Sequence, residues 1–397
     1  MTCRACSGPL EEVLDLGSHY LPDFTEPGAP RGERHPLRLM LCGSCTLLQL
    51  SDVTPRSALY HERYGFRSGV NEAIRDDLAS VVAYALEAVR YPRSWLDIAC
   101  NDGTLMAAIP GLVRRTGIDP LSHLASEAAR HGEVISNYFM PKYFRTGEFD
   151  IITSVSVFYD LPDPCEFARG VASVLDLEGA WVIQQNYAAD MLRSNAVDNI
   201  GHEHVTYFSV RSLLPVLEQA GLEVNDVAYS AVNGGCMRTM VSHRGARPVL
   251  STVADALAAE DALGLGEAAT WRKWGADVRA ELRLTREFLE AQAADCRTVH
   301  LYGASTRGGT ILQMLGDDIP DLIVFAVERN PGKVGKVMAA TGLPVISEVQ
   351  MRAQPPDALL VAPWFFREGF IERERAYLDA GGRMVFPLPV HEVVTRS

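Results

Sequence analysis

Trp95-Leu96-Asp97-Ile98-Ala99-Cys100-Asn101-Asp102-Gly103-Thr104-Leu105 places an apolar strand, a short acidic loop with one glycine and the opening of a helix in immediate succession. In open α/β sheets ligands bind beyond the carboxyl ends of the strands, so this loop is a candidate ligand cradle. Outward from it, short apolar runs alternate with helical stretches: Val70 to Arg90 reads as a helix, and Ser94 to Cys100, Thr116 to Asp119, Asp150 to Val155 and Trp181 to Gln184 read as strands. Such alternation predicts a mainly parallel, doubly wound sheet. Val224 to Val232 and Met237 to His243, joined at Asn233-Gly234-Gly235, predict an antiparallel hairpin at its edge.

A dinucleotide cradle would use G-x-G-x-x-G, in which bare glycines and a helix N-terminus receive a pyrophosphate. Here Asp97 and Asp102 would repel phosphate. An acidic loop suits a cation or a ribose, and S-adenosylmethionine offers a sulfonium and a phosphate-free nucleoside. The next strand ends Gly117-Ile118-Asp119-Pro120, so Asp119 is placed to accept from both ribose hydroxyls. The competing reading is that Asp97 and Asp119 only cap helices.

At 397 residues the chain exceeds what one core organises, and its 47% hydrophobic and 22% charged residues are those of an ordinary folded protein. A net charge of -13 argues against nucleic acid as partner. No apolar run approaches the roughly 18 residues of a membrane span, and Met1-Thr2-Cys3-Arg4 lacks a signal-peptide core, so the expected compartment is the cytoplasm. There, Cys3-Arg4-Ala5-Cys6 and Cys42-Gly43-Ser44-Cys45 read as two zinc knuckles whose four thiolates close a structural tetrahedral site. Cys100, Cys165, Cys236 and Cys296 read as packing residues.

From Pro248 to about Cys296 the composition predicts one or two long helices linking two domains. Beyond it the runs Thr298 to Tyr302, Leu322 to Glu328, Leu343 to Ile346, Ala358 to Ala362 and Arg383 to Pro387 predict a second, smaller α/β domain. The turn Gly303-Ala304-Ser305-Thr306-Arg307-Gly308-Gly309 resembles a phosphate cradle, with Ser305, Arg307, Lys333 and Arg367 as candidate contacts. Equally, its glycines can serve only to tighten a strand-to-helix turn.

Gly201-His202-Glu203-His204 concentrates three proton-transfer groups and admits three readings: metal site, acid/base pair or polar turn. Histidines two apart without a nearby third ligand make the metal reading weak.

Taken in order, Asp97-Ile98-Ala99-Cys100-Asn101-Asp102-Gly103, Phe158-Tyr159-Asp160, His202-Glu203-His204 and Gly234-Gly235-Cys236-Met237-Arg238, behind two zinc knuckles, resemble the S-adenosylmethionine-dependent C-methyltransferases of deoxysugar and natural-product biosynthesis. The resemblance spans nearly the whole chain. It implies an α/β fold: a zinc-binding domain (1–58), a central Rossmann-like class I methyltransferase domain (59–247), a helical linker (248–296) and a smaller Rossmann-like C-terminal domain (297–397) enclosing substrate. The implied reaction is methylation at C3 of a nucleotide-linked 4-keto sugar by a monomer or weak dimer. Carried onto this sequence, Tyr64, Ser68, Asp97, Asn101, Gly103, Asp119 and Gln184 would hold the cofactor, and Asn186, Tyr207 and Asn233 would face the sugar. His204 would be the base, Glu203 would orient it, and His202 would donate to the oxyanion.

Two positions depart from the family: Gly201 stands where many relatives carry Tyr or Cys, and Asn233 where His is frequent. Methylation of oxygen or nitrogen is the enzymatic alternative. A nicotinamide oxidoreductase using the C-terminal turn, or a zinc-containing binding protein, would be the outsiders.

Overall fold

The computed structural model describes residues 2–60 and 66–396. Its contacts divide the chain into two compact bodies that interleave in sequence: Met1–Glu12, Met40–Asp190 and His204–Ala268 form the first, and Val13–Leu39, Met191–Glu203 and Ala269–Ser397 the second. The zinc knuckles thus belong with the central domain. The helix Ser251–Leu263 belongs to the first body, and nearly all of Ala268–Ala294 to the second.

The first body holds a seven-stranded sheet in the order Leu222–Ser230, Cys236–His243, Leu175–Asn186, Phe149–Val155, Ser94–Ile98, Arg114–Ile118 and Glu133–Ile135. Five strands run parallel, and the expected hairpin is the antiparallel edge. The helix Glu72–Ala88 presents Leu78, Val81, Val82 and Ala85, one stripe at helical spacing, to Trp95, Ile151, Val182 and Met240. Each of its larger apolar side chains contributes on the order of 2 kcal/mol by leaving water. On the other face Trp181, Phe158, Phe167 and Phe208 pack edge-on or tilted, with Phe158–Trp181 ring centres 5.4 Å apart.

The second body carries a six-stranded sheet ordered Val345–Ser347, Phe325–Glu328, Val299–Tyr302, Ala358–Val361, Arg383–Phe386 and Glu392–Val394. All but the last are parallel. The first strand in sequence, Val299–Tyr302, lies between its successors, which creates a switch point beside Ala358–Val361. The long helix buries Trp271, Trp274, Val278, Leu282 and Leu289 along one face. Among the described residues no helix is long and apolar enough to cross a membrane.

Candidate active site

Cys3, Cys6, Cys42 and Cys45 bring their sulfurs within 4.8 Å of one another, with Cys3–Cys45 and Cys6–Cys42 at 3.5 Å. Tetrahedral zinc with bonds near 2.3 Å needs sulfurs about 3.8 Å apart, so the set fits the ion. Backbone N–H groups of Ala5 and Ser44 donate to the sulfurs of Cys3 and Cys42. Ser7 and Thr46, each just past a knuckle, take positive φ to turn the chain. The hydrogen bond from Cys45 holds the Cys3 thiol down at about 5 while Cys45 is pushed far up, because four crowded sulfurs cannot all ionise without a cation. All four cysteines would hold a closed, structural zinc.

At the carboxyl ends of the first sheet lies a cavity of about 460 Å³ lined by residues that include Asp97, Asn101 and Asp119. Three left-handed residues, Ala99 (φ 61), Asn101 (φ 51) and Gly103 (φ 81), coil the loop after Ser94–Ile98. Ser156, after Phe149–Val155, is left-handed too (φ 55). Such strain in non-glycine residues costs on the order of 1 kcal/mol or more each and clusters at functional sites.

Asp97 is almost fully buried and accepts from the Thr153 hydroxyl at 2.7 Å; burial pushes its carboxyl up to about 7. Asp119 is held by the N–H groups of Asn101 (3.0 Å) and Leu121 (2.9 Å), while burial raises its pKa. Two desolvated carboxylates facing one cavity favour a cation and ribose hydroxyls, which is a fit to S-adenosylmethionine. Ser68 also lines the cavity, and its N–H donates to Asn101 Oδ1. Gly103 does not line it; a Cβ there would meet Ala128 Cα at 2.7 Å, so this glycine serves the close approach of loop and helix. Tyr64 lies outside the described residues.

Gln184 lines the cavity with both ends of its amide engaged: Nε2 donates to Asp77 at 2.5 Å, and Oε1 accepts from Arg238 Nε at 2.7 Å. Asp77 also accepts from Ser230 and pairs with Arg238, forming a buried network at this wall. Asn233 (φ 54) lines the cavity, whereas Asn186 is buried beside Cys236 and Tyr207 is buried on a strand paired with Leu48–Leu50. Sequence reading quoted Asp160 within the run Phe158-Tyr159-Asp160 without giving it a role, and it missed Arg56; Asp160 accepts from the Tyr60 hydroxyl at 3.0 Å, and Arg56 lies over the Tyr138 ring at 5.3 Å. All four of these line the cavity, and Arg56 is the only Arg or Lys among the described lining residues. The position of Asp160 just beyond a parallel strand was the available signal.

The His202-Glu203-His204 run is split. His202 is buried in the second body, its ring Nε2 3.1 Å from the His35 carbonyl, and burial lowers its pKa to about 4. It is therefore a neutral anchor whose Nε2–H faces a carbonyl rather than a base. Burial pushes the Glu203 carboxyl up to about 7. His204 belongs to the first body and packs edge-on against Tyr159 with ring centres 4.4 Å apart. The N–H of Val205 and the hydroxyl of Thr206 both donate to the Tyr159 carbonyl. His204 is thus tied to the turn whose residues Val157 and Asp160 line the cavity, although it is not itself in the lining.

The predicted anion contacts of the second body are all engaged internally. Ser305 caps its own helix through Gly308 N–H, Arg307 pairs with Asp198, Lys333 with Glu328, and Arg367 with Glu392. A Cβ at Gly303 would meet Pro363 at 2.5 Å, and one at Gly308 would meet Ala362 at 2.8 Å. Pro363 and Ala362 therefore approach this loop closely, and the glycines tighten the turn.

The first sheet, its acidic cavity and the cysteine cluster define an S-adenosylmethionine-dependent methyltransferase of the doubly wound α/β class with a structural zinc site. Family models match the chain in three blocks: a zinc binding domain over 3–60, a methyltransferase domain over 70–227 and a C-methyltransferase C-terminal domain over 231–389. Over 99% of its length the chain is 28% identical to C-methyltransferase NovU of Streptomyces niveus, covering 96% of that protein. The chain thus carries, in this order, a zinc binding domain, a methyltransferase domain and a C-methyltransferase C-terminal domain.

Solved structures overlap it in part. N-methyltransferase NodS from Bradyrhizobium japonicum WM9, in complex with S-adenosyl-l-homocysteine, is 17% identical over 48% of this chain and 95% of its own, with a TM-score of 0.36. PH0226 protein from Pyrococcus horikoshii OT3 is 14% identical over 47% of this chain and 100% of its own, again at 0.36.

Proposed function

We propose that this C-methyltransferase, acting in the cytoplasm, methylates C3 of a nucleotide-linked 4-keto deoxysugar. The observation that supports this reading most is the anchoring of His204 to the turn that walls the cofactor cavity. Bound S-adenosylmethionine supplies the electrophilic methyl group.

The chain's own residues do the rest. Asp97 and Asp119 receive the charged and ribose parts of the cofactor, with Ser68, Asn101 and Gln184 shaping the same wall. His204 takes the proton beside the ketone, a task suited to an imidazole near neutrality. A neutral imidazole is too weak to make a free enolate, so donors must face the new oxyanion. Glu203, whose carboxyl desolvation pushes up to about 7, can donate a hydrogen bond in its protonated form. His202 holds the segment in place through His35. Arg56 is assigned to the pyrophosphate, since Arg307, Lys333 and Arg367 are paired internally. Asn186, Tyr207 and Asn233 then shape the surroundings of the sugar rather than move protons.

The test is incubation with S-adenosylmethionine and a panel of nucleotide-linked 4-keto sugars, with the methyl located by mass spectrometry and NMR. A methyl on oxygen or nitrogen would replace this reading with the alternative that Gly201 and Asn233 suggest. Loss of solvent deuterium exchange at C3 in His204→Ala is expected; exchange at the normal rate would remove His204 as base.

A further inference from the structure

The segment preceding His204 is held by a set of contacts that neither the cofactor cavity nor the zinc centre explains. Asp198, only 2% exposed, sits in the short turn Val197–Asn199. Both its carboxylate oxygens are engaged: Oδ2 accepts from Arg307 Nε at 2.8 Å and lies 2.7 Å from Nη2 in an ion pair, and Oδ1 accepts from Trp364 Nε1 at 3.2 Å. The Arg307 guanidinium also lies 4.4 Å from the centre of the Phe365 ring. Two residues on, the Ile200 carbonyl accepts from the Thr310 hydroxyl at 2.9 Å, and beyond it His202 meets the His35 carbonyl. All of these residues lie in the second body, and Arg307 and Thr310 belong to one helix, Thr306–Leu315.

We propose that Arg307 is a positioning residue: through Asp198 it fixes the 197–203 segment, and so the Glu203 carboxyl, making the anion it recognises a side chain of this protein and not a substrate phosphate. The C-terminal α/β body is then a mount for the proton-transfer segment. A buried ion pair with both partners hydrogen-bonded is costly to break, since removing one side strands the other. Such a pair is suited to holding a loop in one geometry. Misplacement of a reacting group by about 1 Å costs on the order of a hundredfold in rate.

The role in catalysis rests on the proposed work of Glu203 and His204, but the positioning itself can be read without turnover. Hydrogen–deuterium exchange of the full-length protein should show faster exchange over 197–203 in Arg307→Met and Asp198→Asn, with exchange in the first sheet unchanged. Arg307→Lys should restore part of the protection. In kinetics with the nucleotide-linked keto sugar, both single variants should lower kcat roughly tenfold or more and leave KM within about threefold, and the double variant should be no worse than the poorer single one.

Two results would overturn the proposal. One is unchanged exchange over 197–203. The other is a KM for the nucleotide sugar that rises sharply in Arg307→Met and not in Asp198→Asn, which would make Arg307 a phosphate contact. If Arg307→Met fails to fold, Thr310→Val removes the neighbouring anchor at Ile200 and should loosen the same stretch, and tight protection there would count against the mount. A wild type that methylates no keto sugar would sink the functional reading while leaving the exchange result to decide the clamp.

Discussion

The seven-stranded and six-stranded sheets share a largely parallel, doubly wound plan and a glycine-containing loop after the first of their parallel strands, yet they use that loop differently. In the first body Asp97 and Asp119 remain buried and face open volume. In the second, Pro363 and Ala362 close on Gly303 and Gly308, and Ser305, Arg307 and Lys333 find partners inside the protein. The same architecture therefore carries open volume at one set of strand ends and internally paired side chains at the other. What separates them is whether the polar groups at the strand ends are satisfied internally.

The sharpest way to break this contrast is at the proton-transfer group. His204→Ala should cut methyl transfer by about 10²–10⁴-fold, the usual worth of a general base, while cofactor affinity measured calorimetrically stays close to wild type. Next in size, Asp97→Asn should weaken cofactor binding roughly tenfold or more, the cost of a charge-assisted contact, and Glu328→Gln at the corresponding strand end of the second body should leave it unchanged.

The pH dependence sharpens the same point. A cationic ligand prefers the ionised Asp97, whose free-state pKa is raised to about 7, so affinity should fall as pH drops below 7. A flat titration from pH 8 to 6 would argue against Asp97 as the charge partner.

Gly303→Ala should destabilise by about 2 kcal/mol, read as a lowered denaturation midpoint, because φ is +90° and the new Cβ meets Pro363. Cofactor affinity should not change. A stability effect confined to acid pH concerns His202, whose folded pKa of about 4 lies below its unfolded value near 6.5. The unfolded chain binds the proton more readily between these values, so this residue's contribution is full above pH 6.5 and is lost progressively down to pH 4. His202→Gln should flatten that part of the stability profile.

Much of this was legible in sequence, for stated reasons. Period and punctuation gave the strands around Asp97, Asp119 and Gln184, and the hairpin across Asn233-Gly234-Gly235 emerges at the sheet edge. The paired spacing of Cys3, Cys6, Cys42 and Cys45 encoded the metal cluster because each knuckle is local. Left-handed Ala99 and Ser156 were not legible, since no glycine marks them. Nor was the interleaving of Val13–Leu39 and Met191–Glu203 with the C-terminal body, which depends on contacts far apart in sequence. The pairing of Arg307 with Asp198 is of that kind.

The most direct test is transfer of a 13C-labelled methyl from S-adenosylmethionine to a nucleotide-linked 4-keto sugar, followed by NMR of the product. The expected result is a new methyl on C3 beside the ketone, dependent on His204. A label on oxygen or nitrogen, or equal yield from His204→Ala, would contradict it.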